Sequence, residues 1–244
     1  MAVESKTTPS GTSAVHAGDI WFDGEFVPQA QATVSLLTHA LHYGTSVFEG
    51  IRAYETARGP AVFRLREHSR RLLESAKIVG METGLTAEQV DEAILGTVRR
   101  NGHAACYIRP LLWYGAGSLG VNPRPNPIHF MVATMPWGAY LGDEAVRKGA
   151  RLLTSSWRRS PGDVLPTKAK AGGNYVNSVL ANQEARDAGF DEALLLDVQG
   201  FVAEGSGENI FLVRRGEILT PPQAASILDG INRASVIEIA SDLG

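Results

Sequence analysis

The segment "PTKAKAGGNYVNSVLANQEARDAGFDEALLLD", residues 166–197, contains three sequence patterns in a row. Two lysines followed by a double glycine are typical of a strand that ends in a glycine turn. Residues 175–189 have the pattern of a helix, for which Asn174 is a suitable N-cap residue. Residues 191–197 then have the pattern of a strand. A helix and a strand so close together indicate a fold that mixes both types of element.

The rest of the chain also mixes helices and strands, without strict alternation. Strands are predicted at 19–28 (a hairpin turning at Asp23 and Gly24), 105–115, 128–138, 150–157 and 208–220, and helices after Phe63, at 85–102 and at 232–244. This order favours a mixed α/β (α+β) fold over a pure parallel barrel. We expect a flexible tail at 1–17, a small N-terminal α+β domain at 18–142, a linker at 143–149 and a large domain at 150–244.

Composition argues against several classes of protein. The 244 residues are 44% apolar and carry a formal net charge of −3, which gives no support for binding to nucleic acid or to an anionic membrane. Small-molecule partners therefore fit better. The single cysteine, Cys106, excludes an internal disulfide, and we expect it to lie buried in a strand. The N-terminus lacks the features of a signal peptide and no apolar run suggests a membrane span, so we expect a cytoplasmic protein.

Two familiar motifs fail on their context, and a third is absent from the sequence. "GAGSLG", residues 115–120, has the spacing of a dinucleotide-binding loop, but the following "VNPRPNP" cannot begin the helix that such a loop needs. His39 and His42 have the spacing of a metal pair without further ligands, so we predict packing or hydrogen-bonding roles and no metal site. No G-x-S-x-G motif marks a serine nucleophile.

The lysines of the opening segment have a possible chemical role. A lysine attacks a carbonyl only if burial or a cationic neighbour lowers its pKa, and Lys168 and Lys170 are close enough in sequence to influence each other. Gly172 and Gly173 would let a planar ligand approach the backbone. Taken alone, this segment fits a strand with surface lysines better.

Three other segments change that balance. Glu204 lies among small residues at a strand end, where a buried carboxylate needs a partner. Residues 230–232 begin a helix whose free amides can hold a phosphate. Any of four arginines can bind phosphate oxygens: Arg64, Arg66, Arg70 and Arg71. An amine, a carboxylate and a phosphate seat are the three supports that pyridoxal phosphate requires.

These residues belong to stretches that resemble a known family, the class IV aminotransferases of fold type IV. "EGSGENIFLVRRGEILTPPQAASILDGINR", residues 204–233, is similar to the class signature over its whole length. Four stretches resemble the branched-chain amino acid aminotransferases: "HALHYGTSVFEGIRAY" (39–54), "YIRPLLWYGAGSLGVNP" (107–123), "PWGAYLG" (136–142) and "KAGGNY" (170–175). The similarity extends from about Ile20 to the last residue.

The resemblance implies a role for each matching position. Lys170 would carry the cofactor as a Schiff base and shuttle the proton, Tyr175 would contact the phenolic oxygen and Glu204 the ring nitrogen. Arg71 and the amides of Ile231 and Asn232 would hold the phosphate. The substrate pocket would be formed by Phe48, Tyr43, Trp137 and Tyr140, with Tyr107 and Arg109 recognising carboxylates.

The implied reaction is transfer of an amino group from L-leucine, L-isoleucine or L-valine to 2-oxoglutarate, in a homodimer with Tyr43 near the partner's site. D-amino acid aminotransferase and aminodeoxychorismate lyase share the cofactor machinery and are alternatives, as is a non-catalytic remnant. Position 232 is Asn where many relatives have Thr, a change that keeps a helix-capping side chain. Family members continue beyond the position of Gly244, so we expect low stability and little activity from a chain that ended there.

Overall fold

The computed structural model describes residues 18–136 and 147–244. The predicted tail, Trp137, Tyr140 and most of the predicted linker lie outside the described residues. Within these two ranges, no helix is long and apolar enough to cross a membrane.

An antiparallel sheet of seven strands forms the first half of the structure. Its strands are β1 (Asp19–Phe22), β2 (Glu25–Pro28), β3 (Ser46–Phe48), β4 (Ile51–Tyr54), β5 (Ala61–Val62), β6 (Cys106–Tyr114) and β7 (Ile128–Met135). They lie in the order β2-β1-β7-β6-β4-β5, and β3 pairs with β6. The hairpin predicted at 19–28 is confirmed: Asp23 and Gly24 both have positive φ, 48° and 104°, as a tight two-residue hairpin turn requires.

Helices α1 (His39–Tyr43), α2 (Leu65–Ile78) and α3 (Ala87–Asn101) accompany this sheet. The predicted capping box of α3 is present, since the Thr86 side chain accepts from the Gln89 amide and the Gln89 side chain accepts from the Thr86 amide. The apolar sides of α2 and α3 form one core with the sheet, whose fully buried members include Leu72, Ile94, Ile108 and Leu112. Cys106 is buried in β6, as predicted.

The second half is built on a smaller mixed sheet. Strand β8 (Leu152–Arg158) runs parallel to β9 (Glu192–Leu196), which pairs antiparallel with β10 (Val202–Gly205). Helix α4 (Tyr175–Asp187) connects β8 to β9 and buries Ala181 and Ala185 against Leu195. A hairpin of β11 (Leu212–Arg214) and β12 (Glu217–Leu219) and helix α5 (Ile231–Leu243) follow. The predicted mixed α/β class is confirmed, because both sheets carry helices in an irregular order.

The opening segment departs from its prediction at two points. Residues 166–171 form turns rather than a strand, followed by a short 3-10 helix at Gly172–Asn174. Asn174 occupies the N-cap position of α4, but its side chain makes no capping bond. It donates instead to the carbonyls of Pro166 and Ala169, at 3.1 and 3.3 Å, and so closes the turn that precedes Lys170.

Candidate active site

The backbone of Lys170 is fixed by two elements from the first half of the chain. Its amide donates to Ser75 Oγ of α2 at 3.0 Å, and its carbonyl accepts from the amide of Phe48 in β3, also at 3.0 Å. One residue further, Ala171 forms a β-bridge with Val47. Lys170 is therefore held where the large sheet meets the 166–174 turn.

The double glycine explains how these elements come so close. A Cβ atom on Gly172 would overlap Ser46 Oγ, and the amide of Gly173 donates to the carbonyl of Gly44 at 3.0 Å. A Cβ on Gly44 would lie 2.8 Å from Gly173 Cα. The sequence prediction that these glycines admit a planar ligand is therefore wrong for Gly172, whose open side is filled by the protein's own segment. That approach brings the end of β3 to Lys170.

The amine of Lys170 lies among aromatic side chains. Nζ donates to Tyr175 Oη at 2.8 Å and lies 5.1 Å from the centroid of the Phe48 ring. The rings of Phe48 and Tyr175 are 4.8 Å apart. Tyr175 is the first residue of α4, so the helix start determines where its phenol lies. Lys168, by contrast, is exposed in the turn, which agrees with the expectation that one lysine of the pair faces solvent.

Glu204 is buried at the end of β10 with three hydrogen-bonding partners. Oε1 pairs with Arg159 Nη2 at 2.9 Å, and Oε2 accepts from Asn209 Nδ2 and from the Leu228 amide, both at 3.1 Å. Burial raises the pKa of Glu204 above its ordinary value, while the charges of Arg159 and Lys170 and the Leu228 hydrogen bond oppose that rise. Tyr175, which receives the hydrogen bond of the Lys170 amine, lines the same cleft as Glu204, so the structure brings the two predicted residues into one region.

Arg71 lies at the start of α5, where the sequence predicted a phosphate seat. Its Nη1 donates to the carbonyl of Asp229 at 2.9 Å, and Arg64 reaches Ser235 Oγ of the same helix at 2.8 Å. The first turn of a helix leaves the amides of Ile231 and Asn232 without helical acceptors. Of the four candidate arginines, Arg66 does not reach this place, because it pairs with Glu88 and Asp91 on α3, and Arg70 is exposed at the groove that Arg71 lines.

Sequence reasoning missed Glu49, which holds Arg71. Its fully buried carboxylate accepts from Arg71 Nε and Nη2 at 2.6 and 2.7 Å and from His68 Nδ1 at 2.8 Å. Burial raises the pKa of Glu49, but the hydrogen bonds from His68 and Arg71, together with the charges of Arg71 and Lys170, lower it to about 2. Glu49 is therefore ionised at neutral pH. A glutamate within a stretch of apolar residues was the only sequence signal.

The predicted substrate-binding residues divide into two groups. Arg109 Nη2 donates to Tyr107 Oη at 2.7 Å, and its guanidinium carbon lies 4.5 Å from the centroid of the Phe48 ring. Phe48 therefore lies between the Lys170 amine and Arg109, and Tyr107 is joined to the group through Arg109. The side chain of Tyr43 has other partners: its hydroxyl donates to the carbonyl of Leu119 at 2.9 Å, and its ring stacks on His39 at 4.6 Å.

The histidines of α1 have hydrogen-bonding roles. His39 is buried and its two ring nitrogens contact Thr45 Oγ1 at 2.8 Å and the carbonyl of Gly120 at 2.9 Å. His42 Nε2 contacts the carbonyl of Leu36 at 2.9 Å. Over the two described ranges, no cluster of His, Cys, Asp and Glu is suited to hold a metal ion. "GAGSLG" contains no helix, and its last glycine supplies the carbonyl that His39 binds.

Comparison with known proteins identifies the family. The model of the family described as amino-transferase class IV matches residues 46–244. The chain belongs to the class IV aminotransferases. A branched-chain-amino-acid aminotransferase of Salmonella typhimurium is 47% identical over 226 residues, which cover 92% of this chain and 73% of that protein. The family resemblance is therefore confirmed.

Solved structures of the class IV aminotransferases extend the comparison. The T.th. branched-chain amino acid aminotransferase with pyridoxamine 5'-phosphate has a TM-score of 0.91 and 63% identity, covering 95% of this chain and 76% of that one. The same enzyme complexed with N-(5'-phosphopyridoxyl)-L-glutamate has a TM-score of 0.89 and 60% identity, covering 95% and 75%. The fold-type IV architecture is confirmed by these similarities.

The described residues fit the cofactor by the chemistry of their groups. A phosphorylated pyridine aldehyde needs an amine, a carboxylate for its ring nitrogen and donors for its phosphate. Lys170, Glu204 and the pair of Arg71 with the start of α5 supply these in turn. Glu204 is 6% exposed, so its carboxylate is shielded from bulk water. This shielding strengthens the effect of its charge on a neighbouring group.

Proposed function

We propose that this chain catalyses the pyridoxal phosphate-dependent transfer of the amino group of L-leucine, L-isoleucine or L-valine to 2-oxoglutarate, giving the branched 2-oxo acids and L-glutamate. The observation that carries the proposal is the position of the Lys170 amine, hydrogen-bonded to Tyr175 and flanked by Phe48, with Arg109 on Phe48 as well. The names of the similar proteins support the same reaction. No feature of the described residues favours the D-amino acid or lyase alternatives.

Each of the chain's residues has a separate task in this proposal. When bound, pyridoxal phosphate supplies a carbonyl carbon that receives the amino group and a protonated ring that withdraws electrons. Lys170 Nζ moves the proton at the substrate α-carbon, and Tyr175 Oη orients that amine through the 2.8 Å hydrogen bond. Glu204 holds the proton of the ring nitrogen, and Arg71 with the amides of Ile231 and Asn232 holds the phosphate.

Phe48 and Arg109 give the substrate pocket an apolar surface and a positive charge. The ring of Phe48 presents an apolar surface suited to a branched aliphatic side chain, while the guanidinium of Arg109, held by Tyr107, suits the second carboxylate of glutamate. Arg109 Nε is buried with no partner among the described residues. An accepting group on a bound dicarboxylate would satisfy it. One pocket can therefore receive both kinds of substrate, as the two half-reactions require.

The assembly, domain division and location are also proposals. We infer a homodimer in which Tyr43 lies near the partner's site, because exposed apolar side chains surround this tyrosine in sequence: Leu36 is 84% exposed and Leu41 61%. Replacing Leu36 and Leu41 by Glu should convert a dimer to monomers in light scattering.

We retain domains at 18–142 and 150–244, since each sheet draws its strands from one of them. Buried Cys106 is compatible with the cytoplasm.

The test is an assay of amino transfer with each candidate donor. The protein is incubated with 2-oxoglutarate and L-leucine, L-isoleucine, L-valine or D-leucine, and L-glutamate is measured. We expect L-glutamate with the three L-amino acids and none above background with D-leucine. Activity with D-leucine alone would contradict the proposal.

A further inference from the structure

The surroundings of Glu204 oppose its ionisation. Glu208 lies close by with Oε1 unpartnered among the described residues, and a Cβ on the intervening Gly205 would lie 2.6 Å from its other oxygen. Burial, then the charges of Glu192 and Glu204, raise the pKa of Glu208 to about 7. Burial also favours the neutral form of Glu204. Glu204 and Glu208 are thus two neighbouring carboxyl groups whose burial disfavours their charged forms.

Arg159 is the cation that contacts this region directly. Its Nη2 is 2.9 Å from Glu204 Oε1, and the side chains of the pair are only 9% and 8% exposed. A buried guanidinium at hydrogen-bond distance stabilises the ionised carboxylate far more than a solvent-exposed ion pair does. Arg159 therefore counteracts the effect of burial on the ionisation of Glu204.

Two secondary-structure elements fix the position of Arg159. Strand β8 ends at Arg158, and the amide of Arg159 donates to the carbonyl of Leu196 in β9 at 2.9 Å. From α4, Asn177 accepts from Arg159 Nη1 at 3.3 Å and donates to the carbonyl of Arg158 at 3.0 Å. The side chain of the preceding Arg158 is exposed, and its Nη1 donates to the carbonyl of Ser155 in the same strand. Of these two adjacent arginines, only Arg159 is directed at Glu204.

We propose that Arg159 is a positioning residue that keeps Glu204 ionised and holds its carboxylate in the orientation that the ring nitrogen of the cofactor requires. The inference rests on the proposed function for the identity of the cofactor. Arg159 acts through Glu204. The other groups that face Glu204 are Lys170 from the 166–174 turn, Glu208 after β10, the Asn209 amide and the Leu228 N–H.

The first test follows the titration of Glu204 in the cofactor-free protein. Its carboxyl stretch is identified in the infrared spectrum as the band that Glu204→Gln removes, and its midpoint pH is measured in each variant. Arg159→Met should raise the midpoint by at least about one unit, a tenfold change in the ionisation equilibrium. Arg158→Met is the matched control and should leave it unchanged. An unchanged midpoint in Arg159→Met would overturn the proposal.

The second test uses a double-mutant cycle on cofactor affinity. Arg159→Met and Glu204→Gln should each weaken binding of pyridoxal phosphate about tenfold, and the double variant should be no weaker than Glu204→Gln alone, because Arg159 then has no charge to stabilise. Additive losses would show that Arg159 acts independently of Glu204 and would refute the inference.

Arg159→Lys covers the case in which Arg159→Met does not fold. It keeps the positive charge but loses the planar fork, so the Glu204 midpoint should rise by a few tenths of a unit and cofactor affinity should be largely rescued. A midpoint identical to that of the unaltered protein would contradict the proposal. None of these measurements uses an amino acid substrate, so their outcome is separate from whether branched-chain transamination is observed.

Discussion

Replacing Glu49 by Gln should remove a large electrostatic contribution to stability. The carboxylate is fully buried and receives three hydrogen bonds, two from Arg71 and one from His68. Its pKa is lowered from 4.5 to about 2, a difference of 4.5 − 2 = 2.5. At about 1.4 kcal/mol per pKa unit, the ionised form contributes about 3.5 kcal/mol to the free energy of unfolding at neutral pH.

The pH dependence gives this prediction its sign. Because the pKa in the folded state lies below the unfolded value, the contribution is fully present above about pH 4.5 and is lost as the pH falls towards 2. Urea unfolding of the unaltered protein and Glu49→Gln should therefore differ by about 3.5 kcal/mol at pH 7 and by progressively less between pH 4.5 and 2.

An exposed ion pair at the start of α2, the helix that carries Arg71, provides the control. Glu67 pairs with Arg64 at 2.8 Å, but its side chain is 42% exposed. Glu67→Gln should change the free energy of unfolding by less than about 1 kcal/mol at any pH. If Glu49→Gln is no more destabilising than Glu67→Gln at pH 7, or if its effect does not depend on pH, the assignment of Glu49 as a buried ionised partner of Arg71 is wrong.

Three further predictions concern the turn before α4 and the core. Asn174→Asp should destabilise the protein by about 1–2 kcal/mol in urea unfolding, because an aspartate side chain cannot donate to the two carbonyls of the preceding turn. A neutral or stabilising effect would indicate that residue 174 caps the helix instead. Gly172→Ala should lower the free energy of unfolding by about 1–3 kcal/mol through overlap with Ser46. Gly173→Ala should lower it less, because its Cβ would lie 3.5 Å from the nearest atom. Equal decreases would argue against the close approach of Gly172 to Ser46. Cys106 should resist thiol reagents in the folded protein, since it is 1% exposed and burial raises its pKa, and rapid labelling under native conditions would contradict its placement.

Elements with local signals could be predicted from the sequence. Helix α3 is specified by Thr86 and Gln89 at capping-box spacing, and the first hairpin by the Asp23 and Gly24 turn, so neighbours in sequence determine both. The short elements between residues 39 and 62 have no such signal, because β3, β4 and β5 contain only three, four and two residues. Their conformation depends on pairing with β6 and with each other.

The site divides in the same way. Lys170, Tyr175 and Glu204 could be selected because they belong to recognisable motifs, and the structure brings them into one region. The partners of two site residues could not be predicted from the sequence. Glu49 binds Arg71, which is 22 positions away in the chain, and Arg159 follows β8 whereas Glu204 lies in β10. Nothing in the pair Arg158 and Arg159 indicates which one turns inward, since that depends on where β8 ends.

The lysine that binds the cofactor can be identified by reductive labelling. The protein is loaded with pyridoxal phosphate, reduced with borohydride so that any link to an amine becomes permanent, digested and analysed by mass spectrometry. We expect the added phosphopyridoxyl mass on Lys170, unchanged in the Lys168→Ala variant and abolished in Lys170→Ala. Labelling of Lys168 or of another amine in place of Lys170 would contradict the account.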